Sequence, residues 1–190
     1  MSTTEPIRDK NKVRELIDYY KHRDEPRNYV LVALSVHSAL RICDILRITW
    51  DDVYDFDNRR IRESITVTER KTGKSKTIAL NAEIITAIRL YITAAARSAP
   101  LIINKRTGKA ISRVQAYRLI RDAADTLRFR ERVSCHSLRK TFGYHAWKNG
   151  ISPAVIMEIY NHSSFAVTRR YLGVTQDDKN EVYLGLRFVE

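Results

Sequence analysis

Two side chains three positions apart, His136 and Arg139, have the types and spacing needed for chemistry on an anion. Residues at i and i+3 lie on one face of a helix, so the imidazole and the guanidinium would project together. Arg41 is a third candidate, because it interrupts the largely apolar run 38–46. A buried guanidinium costs several kcal/mol unless it meets an anion, so Arg41 requires a carboxylate or a bound phosphate. Asp44, three positions on, is a carboxylate that could hold Arg41 in place.

Two further stretches carry reactive groups. Lys71 lies in the turn Lys71-Thr72-Gly73-Lys74, and His162 lies in Tyr160-Asn161-His162-Ser163, nine residues before Tyr171. Taken singly, each candidate has an ordinary structural explanation. A lone buried arginine is more often part of a structural ion pair, and a turn lysine is usually solvated. One tyrosine among 10 carries little weight by itself.

The elements that must position these residues are mainly helices. Apolar periodicity and capping residues, among them Asn81, Ser112 and Ser152, predict nine helices. They cover about residues 7–22, 27–39, 42–46, 82–96, 112–127, 136–148, 152–160, 163–172 and 177–186. Alternation of apolar and polar residues predicts a strand within 60–69 and a returning strand over 77–80. The predicted fold class is therefore α+β, mainly α, with one small antiparallel β-unit whose basic tip carries Lys71.

Composition points to a polyanionic partner. The chain has 34 Lys plus Arg against 22 Asp plus Glu, a formal net charge of +12. Such an excess in a folded domain favours nucleic acid, although a merely basic protein is the alternative. The charge gathers at loops and helix ends, which suit phosphate contacts on a rigid scaffold. The DNA-binding candidates are Arg70, Lys74, Lys76, Arg128, Arg130, Lys140, Arg169 and Arg170.

Length and patterning limit the remaining possibilities. A chain of 190 residues predicts one domain over 1–190, and no linker divides it. No apolar run reaches the roughly 18 residues that span a bilayer, and no signal peptide opens the chain. Cys43 and Cys135 give neither a disulfide framework nor a metal-ligand spacing, so we expect free thiols in a reducing cytoplasm and no metal or cofactor.

Taken in order, the reactive stretches resemble the catalytic domain of the tyrosine recombinases, which include phage integrases, chromosome-dimer resolvases and fimbrial-switch invertases. That family has an Arg in a "TGLR"-like turn, a hairpin Lys, a His-x-x-Arg, a Gly-His and a terminal Tyr. The matching stretches are "SALR" with Arg41, "RKTGK" with Lys71, "HSLRKTFG" with His136 and Arg139, "YNHSS" with His162, and "VTRRYLG" with Tyr171. The resemblance extends from about residue 7 to 175.

The resemblance implies a fold and a reaction. The fold would be that of the DNA breaking-rejoining enzymes, and the reaction site-specific recombination through a covalent 3′-phosphotyrosyl intermediate. Tyr171 would be the nucleophile, and Arg41 and Arg139 would hold the phosphate with His162. His136 would accept the phenolic proton, and Lys71 would protonate the departing 5′-hydroxyl. Neither ATP nor a divalent metal would be required.

The chain also departs from the family pattern. Ala39 and Asn161 stand where the family usually has Gly, and we expect altered backbone there rather than lost activity. Lys74 and Lys76 compete with Lys71 for the role of acid. Tyr160 and Tyr183 are rival phenols, of which Tyr160 is interpreted as a core residue.

The assembly implied by the family is larger than this chain. Most members carry an N-terminal core-binding domain, so the chain is expected to be either a short stand-alone recombinase or a catalytic fragment. Members act as tetramers on paired double-stranded DNA sites, although the protein could be a monomer without DNA. The segment 177–190, with Val182, Leu184 and Leu186, is a candidate exchange helix for docking on a neighbour. Packing on its own domain is the equal alternative.

Two other functions stay open at this stage. A type IB topoisomerase uses a related site to relax supercoils without sequence preference. A non-enzymatic DNA-binding module derived from an integrase would keep the fold and lose cleavage. The presence of all six reactive residues argues against that loss.

Overall fold

A computed structural model describes residues 4–186, and it contains the helices that periodicity predicts. The longer helices are α1 (Lys10–His22), α2 (Pro26–His37), α5 (Ala82–Tyr91), α6 (Arg113–Thr126), α7 (Cys135–Lys148), α8 (Pro153–Tyr160), α9 (Phe165–Leu172) and α10 (Gln176–Gly185). Two single-turn helices, α3 (Ile42–Ile45) and α4 (Trp50–Val53), follow α2, and a 3₁₀ turn, Ile92–Ala94, extends α5.

Side-chain caps explain where several helices begin. Asn81 accepts a hydrogen bond from the N–H of Ile84 at 2.9 Å, and Ser112 forms a capping box with Gln115. Ser152 accepts from the N–H of Ala154 ahead of α8, which has Pro153 in its first turn. These contacts satisfy amide groups that a helix leaves unpaired at its start. The predicted caps are thus confirmed.

The β-structure consists of two short ladders rather than the one predicted unit. β1 (Tyr54–Asp55) pairs with β2 (Arg60–Ile61), and β3 (Ser64–Thr68) pairs with β4 (Ser75–Ala79), both antiparallel. The Asp55 carboxylate accepts the N–H groups of Asp57 and Asn58. That side chain closes the first turn locally, and the first ladder forms separately from the hairpin β3–β4.

The main core surrounds α2. All residues from Asn28 to Val36 are buried, since α1, α5, α6 and α7 cover this helix on different sides. A helix that is apolar all round is expected at such a central position. The fold is α+β and mainly α, as predicted. Within residues 4–186 there is no helix long and apolar enough to cross a membrane.

A second, smaller core lies between α7, α8 and α9. It is formed by Ala39, Ile156, Tyr160 and Leu172, with Tyr171 packed against it. This cluster joins the loop after α2 to the last helices of the fold. It therefore fixes the distance between Arg41, two residues after Ala39, and the helix that bears Tyr171.

Candidate active site

Five of the six reactive residues line one cavity. Its volume is ≈ 700 Å³, and its walls include Arg41, Lys71, His136, Arg139 and Tyr171. These residues come from α7, α9, the start of α3 and the turn between β3 and β4. The sixth residue, His162, lies against Tyr171 with ring centroids 4.6 Å apart. Six side chains spread over about 130 positions are thus brought to one place.

Arg139 lies at the bottom of this cavity and is 1% exposed. Its Nη1 donates to the carbonyl of Ala39, and its Nη2 donates to the carbonyl of Tyr160 at 3.2 Å. Its Nε is buried and has no hydrogen-bond partner. A buried donor without a partner is costly, and an anion bound in the cavity would satisfy it.

Arg41 occupies the N-cap position of α3, and its acidic partner is Glu69 rather than Asp44. Its Nη1 lies 2.7 Å from Glu69 Oε2. Asp44 instead accepts the backbone N–H of Arg70 at 2.9 Å. The prediction that Asp44 holds Arg41 from the same helix face is therefore wrong. The cause is that Arg41 precedes the first turn of α3, so the i to i+3 spacing does not place the two side chains together.

The tyrosine and both histidines form an aromatic group. The ring centroids of His136 and Tyr171 are 5.1 Å apart in a T-shaped arrangement. His162 Nδ1 lies 3.0 Å from the Thr168 hydroxyl, one helical turn before Tyr171 on α9. That hydrogen bond orients the His162 ring and leaves its other nitrogen free to meet a phosphate oxygen.

Both histidines are neutral at physiological pH. Partial burial, followed by the charges of Lys140, Arg139 and Arg41, lowers the pKa of His136 to about 4. Burial, followed by the charges of Arg139 and Arg41, lowers the pKa of His162 to about 4. A neutral His136 can accept a proton from the phenol of Tyr171, and a neutral His162 can donate an N–H.

The three hairpin lysines have different environments. Lys71 and Lys74 are exposed, and Lys71 lines the cavity. Lys76 is largely buried, lies 3.5 Å from Glu69 and donates to the carbonyl of Ile159 at 3.0 Å. Lys76 is therefore a structural ion-pair partner, and its assignment as a DNA-binding candidate is wrong. Side chains alternate along β4, so positions 76 and 78 turn inward, whereas position 74 lies in the turn before the strand.

Lys140 is largely buried but lines a cleft beside Tyr171, and its assignment as a DNA contact stays a prediction. It is 6% exposed, and its ammonium group donates to the carbonyl of Thr4 at 2.5 Å. On α7 the position after Arg139 thus faces both the segment before α1 and the Tyr171 ring, whose centroid lies 5.9 Å from Lys140 Nζ. The other candidates, Arg70, Lys74, Arg128, Arg130, Arg169 and Arg170, have exposed side chains and stay predictions.

The rival phenols lie outside the cavity. Tyr160 is fully buried and its hydroxyl donates to the carbonyl of Arg139 at 2.5 Å. Tyr160 is thus a core residue, as predicted. Tyr183 is 79% exposed on α10. Tyr171 is consequently the one phenol of the three that lines the cavity with both guanidinium groups.

The two residues in place of Gly adopt left-handed backbone. φ is 55° at Ala39 and 54° at Asn161, a conformation that costs non-glycine residues about 1–2 kcal/mol. The Ala39 carbonyl nevertheless accepts from Arg139, and Asn161 ends α8 immediately before His162. Both positions therefore present site residues in a conformation that glycine would take most easily.

Sequence reasoning missed several residues of the site. Glu69 was not singled out, although the inward positions of its strand, Ile65 and Val67, continue to residue 69 with a period of two. Arg113, Tyr117 and Arg132 also line the cavity. Their loop and helix are basic, but no spacing in the sequence connects them to Arg41.

A second basic cleft borders the tyrosine on its other side. It has a volume of ≈ 950 Å³, and its walls include Arg8, His136, Arg169, Arg170, Tyr171 and Lys179. The tyrosine therefore separates two cavities that both carry positive charge. Across residues 4–186 no group of three or more His, Cys, Asp or Glu is arranged to bind a metal ion. Cys43 and Cys135 are free, and burial raises the pKa of Cys135 to about 11.

Comparison with known proteins gives consistent similarities. The profile of the phage integrase family matches residues 8–178. The "Probable integrase/recombinase YoeC" of Bacillus subtilis is 36% identical over 183 residues, which are 96% of this chain and 97% of that protein. The "Tyrosine recombinase XerD" of Mycobacterium leprae is 28% identical over 170 residues, 84% of this chain and 52% of that protein. The chain thus spans nearly all of the first relative and about half of the second.

Solved structures share the fold at low sequence identity. The crystal structure of XerA recombinase superposes with a TM-score of 0.79 at 21% identity, covering 98% of this chain and 68% of that one. The XerH site-specific recombinase, solved as a post-cleavage complex with its palindromic difH substrate, gives 0.78 at 15% identity, covering 96% and 52%. Identities this low show the fold alone.

Proposed function

Since the chain belongs to the phage integrase family and is a tyrosine-type site-specific recombinase, we propose that Tyr171 cleaves DNA with the help of Arg41, Lys71, His136, Arg139 and His162. The observation that carries this assignment is the shared cavity, which is lined by Arg41, Arg139, an imidazole and a phenol. The Nε of Arg139 is buried there and has no hydrogen-bond partner. The substrate is double-stranded DNA, and its scissile phosphodiester occupies this cavity.

The cleavage step follows from these positions. The Tyr171 oxygen forms a bond to phosphorus while the bond from phosphorus to the 5′-oxygen breaks. His136 accepts the phenolic proton, and Lys71 supplies a proton to the departing 5′-oxygen. The product is a 3′-phosphotyrosyl link and a free 5′-hydroxyl. Attack by another 5′-hydroxyl reverses the same steps and joins a new strand.

Charge neutralisation is the main contribution of the arginines. The phosphoryl group carries negative charge that increases on its equatorial oxygens in the transition state. Arg41 and Arg139 provide fixed guanidinium donors in a partly enclosed site, where such interactions are stronger than in water. His162 adds a neutral N–H donor beside the attacking oxygen.

DNA binding and assembly extend the proposal. The exposed arginines of the second cleft, Arg169 and Arg170, contact phosphates next to the scissile one. Strand exchange takes place in a tetramer on paired sites. Within 177–190, Val182 and Leu184 on α10 and the adjacent Leu186 are 61–81% exposed, which favours docking on a neighbour. Residues 187–190 of that segment lie outside the described residues.

The decisive experiment is covalent capture of DNA. The purified protein is incubated with a randomised duplex library carrying a nick that prevents religation, and protein-bound DNA is recovered under denaturing conditions and sequenced. We expect an enriched sequence, and an adduct that disappears in Tyr171→Phe and persists in the matched control Tyr183→Phe. DNA binding without any adduct would indicate a non-enzymatic module. Relaxation of a supercoiled plasmid without an enriched sequence would indicate a topoisomerase.

A further inference from the structure

Glu69 is a buried carboxylate that pairs with the reactive Arg41 and with the structural Lys76. Its side chain is fully buried, and its two oxygens lie 2.7 Å from Arg41 Nη1 and 3.5 Å from Lys76 Nζ. A buried charge of this kind is tolerated only when it is well paired. Burial raises its pKa, but the hydrogen bonds and charges of Arg41, Thr72 and Lys76 more than offset this, so the net pKa is below the ordinary value. Glu69 is therefore ionised.

The same residue organises the turn that carries Lys71. The Thr72 hydroxyl donates to Glu69 Oε2 at 2.9 Å, and the Gly73 N–H donates to the Glu69 carbonyl at 2.9 Å. The Glu69 N–H in turn donates to the Lys74 carbonyl at 2.9 Å. Lys71 thus lies inside a turn whose two sides are both bonded to Glu69, while its own side chain stays exposed.

Glu69 approaches Arg41 from the protein interior. The Arg41 side chain is 20% exposed and lines the cavity, whereas Glu69 is 0% exposed and does not. The carboxylate therefore occupies the inner side of the guanidinium and leaves the cavity side for a phosphate. The oxygen shared between Arg41 and Thr72 links the phosphate-binding arginine to the turn beside Lys71.

We propose that Glu69 is a positioning residue that holds the Lys71 turn at a fixed distance from Arg41, so that the acid meets the 5′-oxygen of a phosphate bound by the arginine. This inference rests on the proposed function. Glu69 does not touch DNA, and its effect on cleavage is transmitted through Lys71.

The test uses Glu69→Gln and two forms of the nicked duplex recovered by covalent capture. One form has the ordinary 5′-oxygen at the scissile phosphate, and the other has sulfur there. A thiolate leaves without being protonated, because the pKa of a thiol, roughly 8.5, is far below that of an alcohol. Loss of the general acid therefore slows cleavage of the duplex with the ordinary 5′-oxygen strongly, and it slows cleavage of the sulfur-containing duplex much less.

We expect Glu69→Gln to form the Tyr171 adduct on ordinary DNA about 10- to 100-fold more slowly than wild type. This is less than the roughly 10²- to 10⁴-fold contribution of a general acid, because Lys71 is displaced and not removed. On the sulfur-containing duplex its rate returns to within about threefold of wild type. Lys71→Ala shows the same rescue, and Arg41→Gln does not, because phosphate binding is lost on both substrates. A purely structural role for Glu69 would reduce both rates equally.

A second pair of variants keeps the test valid if Glu69→Gln fails to fold. Thr72→Val removes one bond to Glu69 from an exposed residue, and Thr66→Val is its matched control, since Thr66 pairs with Thr77 on the same hairpin. Thr72→Val should slow cleavage of ordinary DNA at least threefold, with rescue by sulfur, and Thr66→Val should not. This inference alone is overturned if Glu69→Gln cleaves ordinary DNA at the wild-type rate, or if its slower cleavage is not rescued on the sulfur-containing duplex. Where Glu69→Gln does not fold, the same two outcomes in Thr72→Val overturn it. Absence of a wild-type adduct overturns it together with the proposed function.

Discussion

Among the single residues of the site, the protonation states of the two histidines are set by burial and by nearby positive charges. His136 and His162 both have a pKa of about 4 because burial and nearby arginine charges disfavour the imidazolium form. The guanidinium groups that would stabilise a phosphate thus also keep both imidazoles neutral. The two effects arise from the same arrangement of charge.

These lowered pKa values predict acid sensitivity. Between about pH 6.5 and 4 the unfolded chain binds protons at both imidazoles and the folded chain does not, so the free energy of unfolding decreases as the pH falls. We expect Tm to drop between pH 7 and pH 5, and to drop less in the double variant His136→Gln, His162→Gln. Differential scanning calorimetry checks this. An equal drop in wild type and the double variant would contradict the prediction.

Among the helices, α7 and α8 pack closely because a glycine on α7 leaves room for a tyrosine on α8. A Cβ at Gly143 on α7 would lie 2.5 Å from the Tyr160 hydroxyl oxygen and 2.8 Å from its ring. Tyr160 in turn stacks on His162 with centroids 4.9 Å apart and lies under the Arg139 guanidinium at 4.6 Å. The absence of a side chain at position 143 therefore lets an aromatic residue support two reactive groups.

Overpacking at this contact should be measurable. We expect Gly143→Ala to destabilise the protein by about 1–3 kcal/mol in urea unfolding, despite the higher helix propensity of Ala. Gly185→Ala is the matched control, because open space surrounds that helical glycine and the change should be neutral or slightly stabilising. In Tyr160→Leu the cost of Gly143→Ala should shrink, because the clashing ring is absent. Strictly additive effects would show that the two residues do not compete for this space.

The protein as a whole has a net charge of +12, and basic residues line two cavities on either side of Tyr171. Phosphate contacts of this kind release counterions, so the affinity for DNA falls steeply with salt. Salt-dependent binding is therefore the physical consequence of these two basic cavities.

The salt dependence identifies which arginines contact phosphates. We expect the double variant Arg169→Gln, Arg170→Gln to reduce the slope of log K against log salt by about 1.8, since each phosphate contact contributes about 0.9. Band shifts on the captured duplex between low and moderate salt measure this slope. Arg23→Gln, Arg89→Gln is the control, because neither residue lines the two basic cavities. An unchanged slope in the first double variant would remove the second cleft from the DNA interface.

The reactive residue types, their order and most of the helices could be predicted from the amino-acid sequence. Helix periodicity and caps are local, so the starts of α5, α6 and α8 could be predicted from Asn81, Ser112 and Ser152. His136 and Arg139 could be paired because both lie on one helix. The pattern of motifs was also sufficient to indicate the family, since side-chain chemistry on a phosphate demands particular residue types.

The pairing of charged side chains, in contrast, could not be predicted before the packing of the chain was known. Arg41 pairs with Glu69 rather than with the nearer Asp44, and Lys76 turns inward while Lys71 reaches the cavity. Such pairings depend on how a hairpin packs on a helix start, over separations that no local period describes. The electrostatic energy of a pair depends on distance and burial in the folded state, and both are properties of the packed molecule.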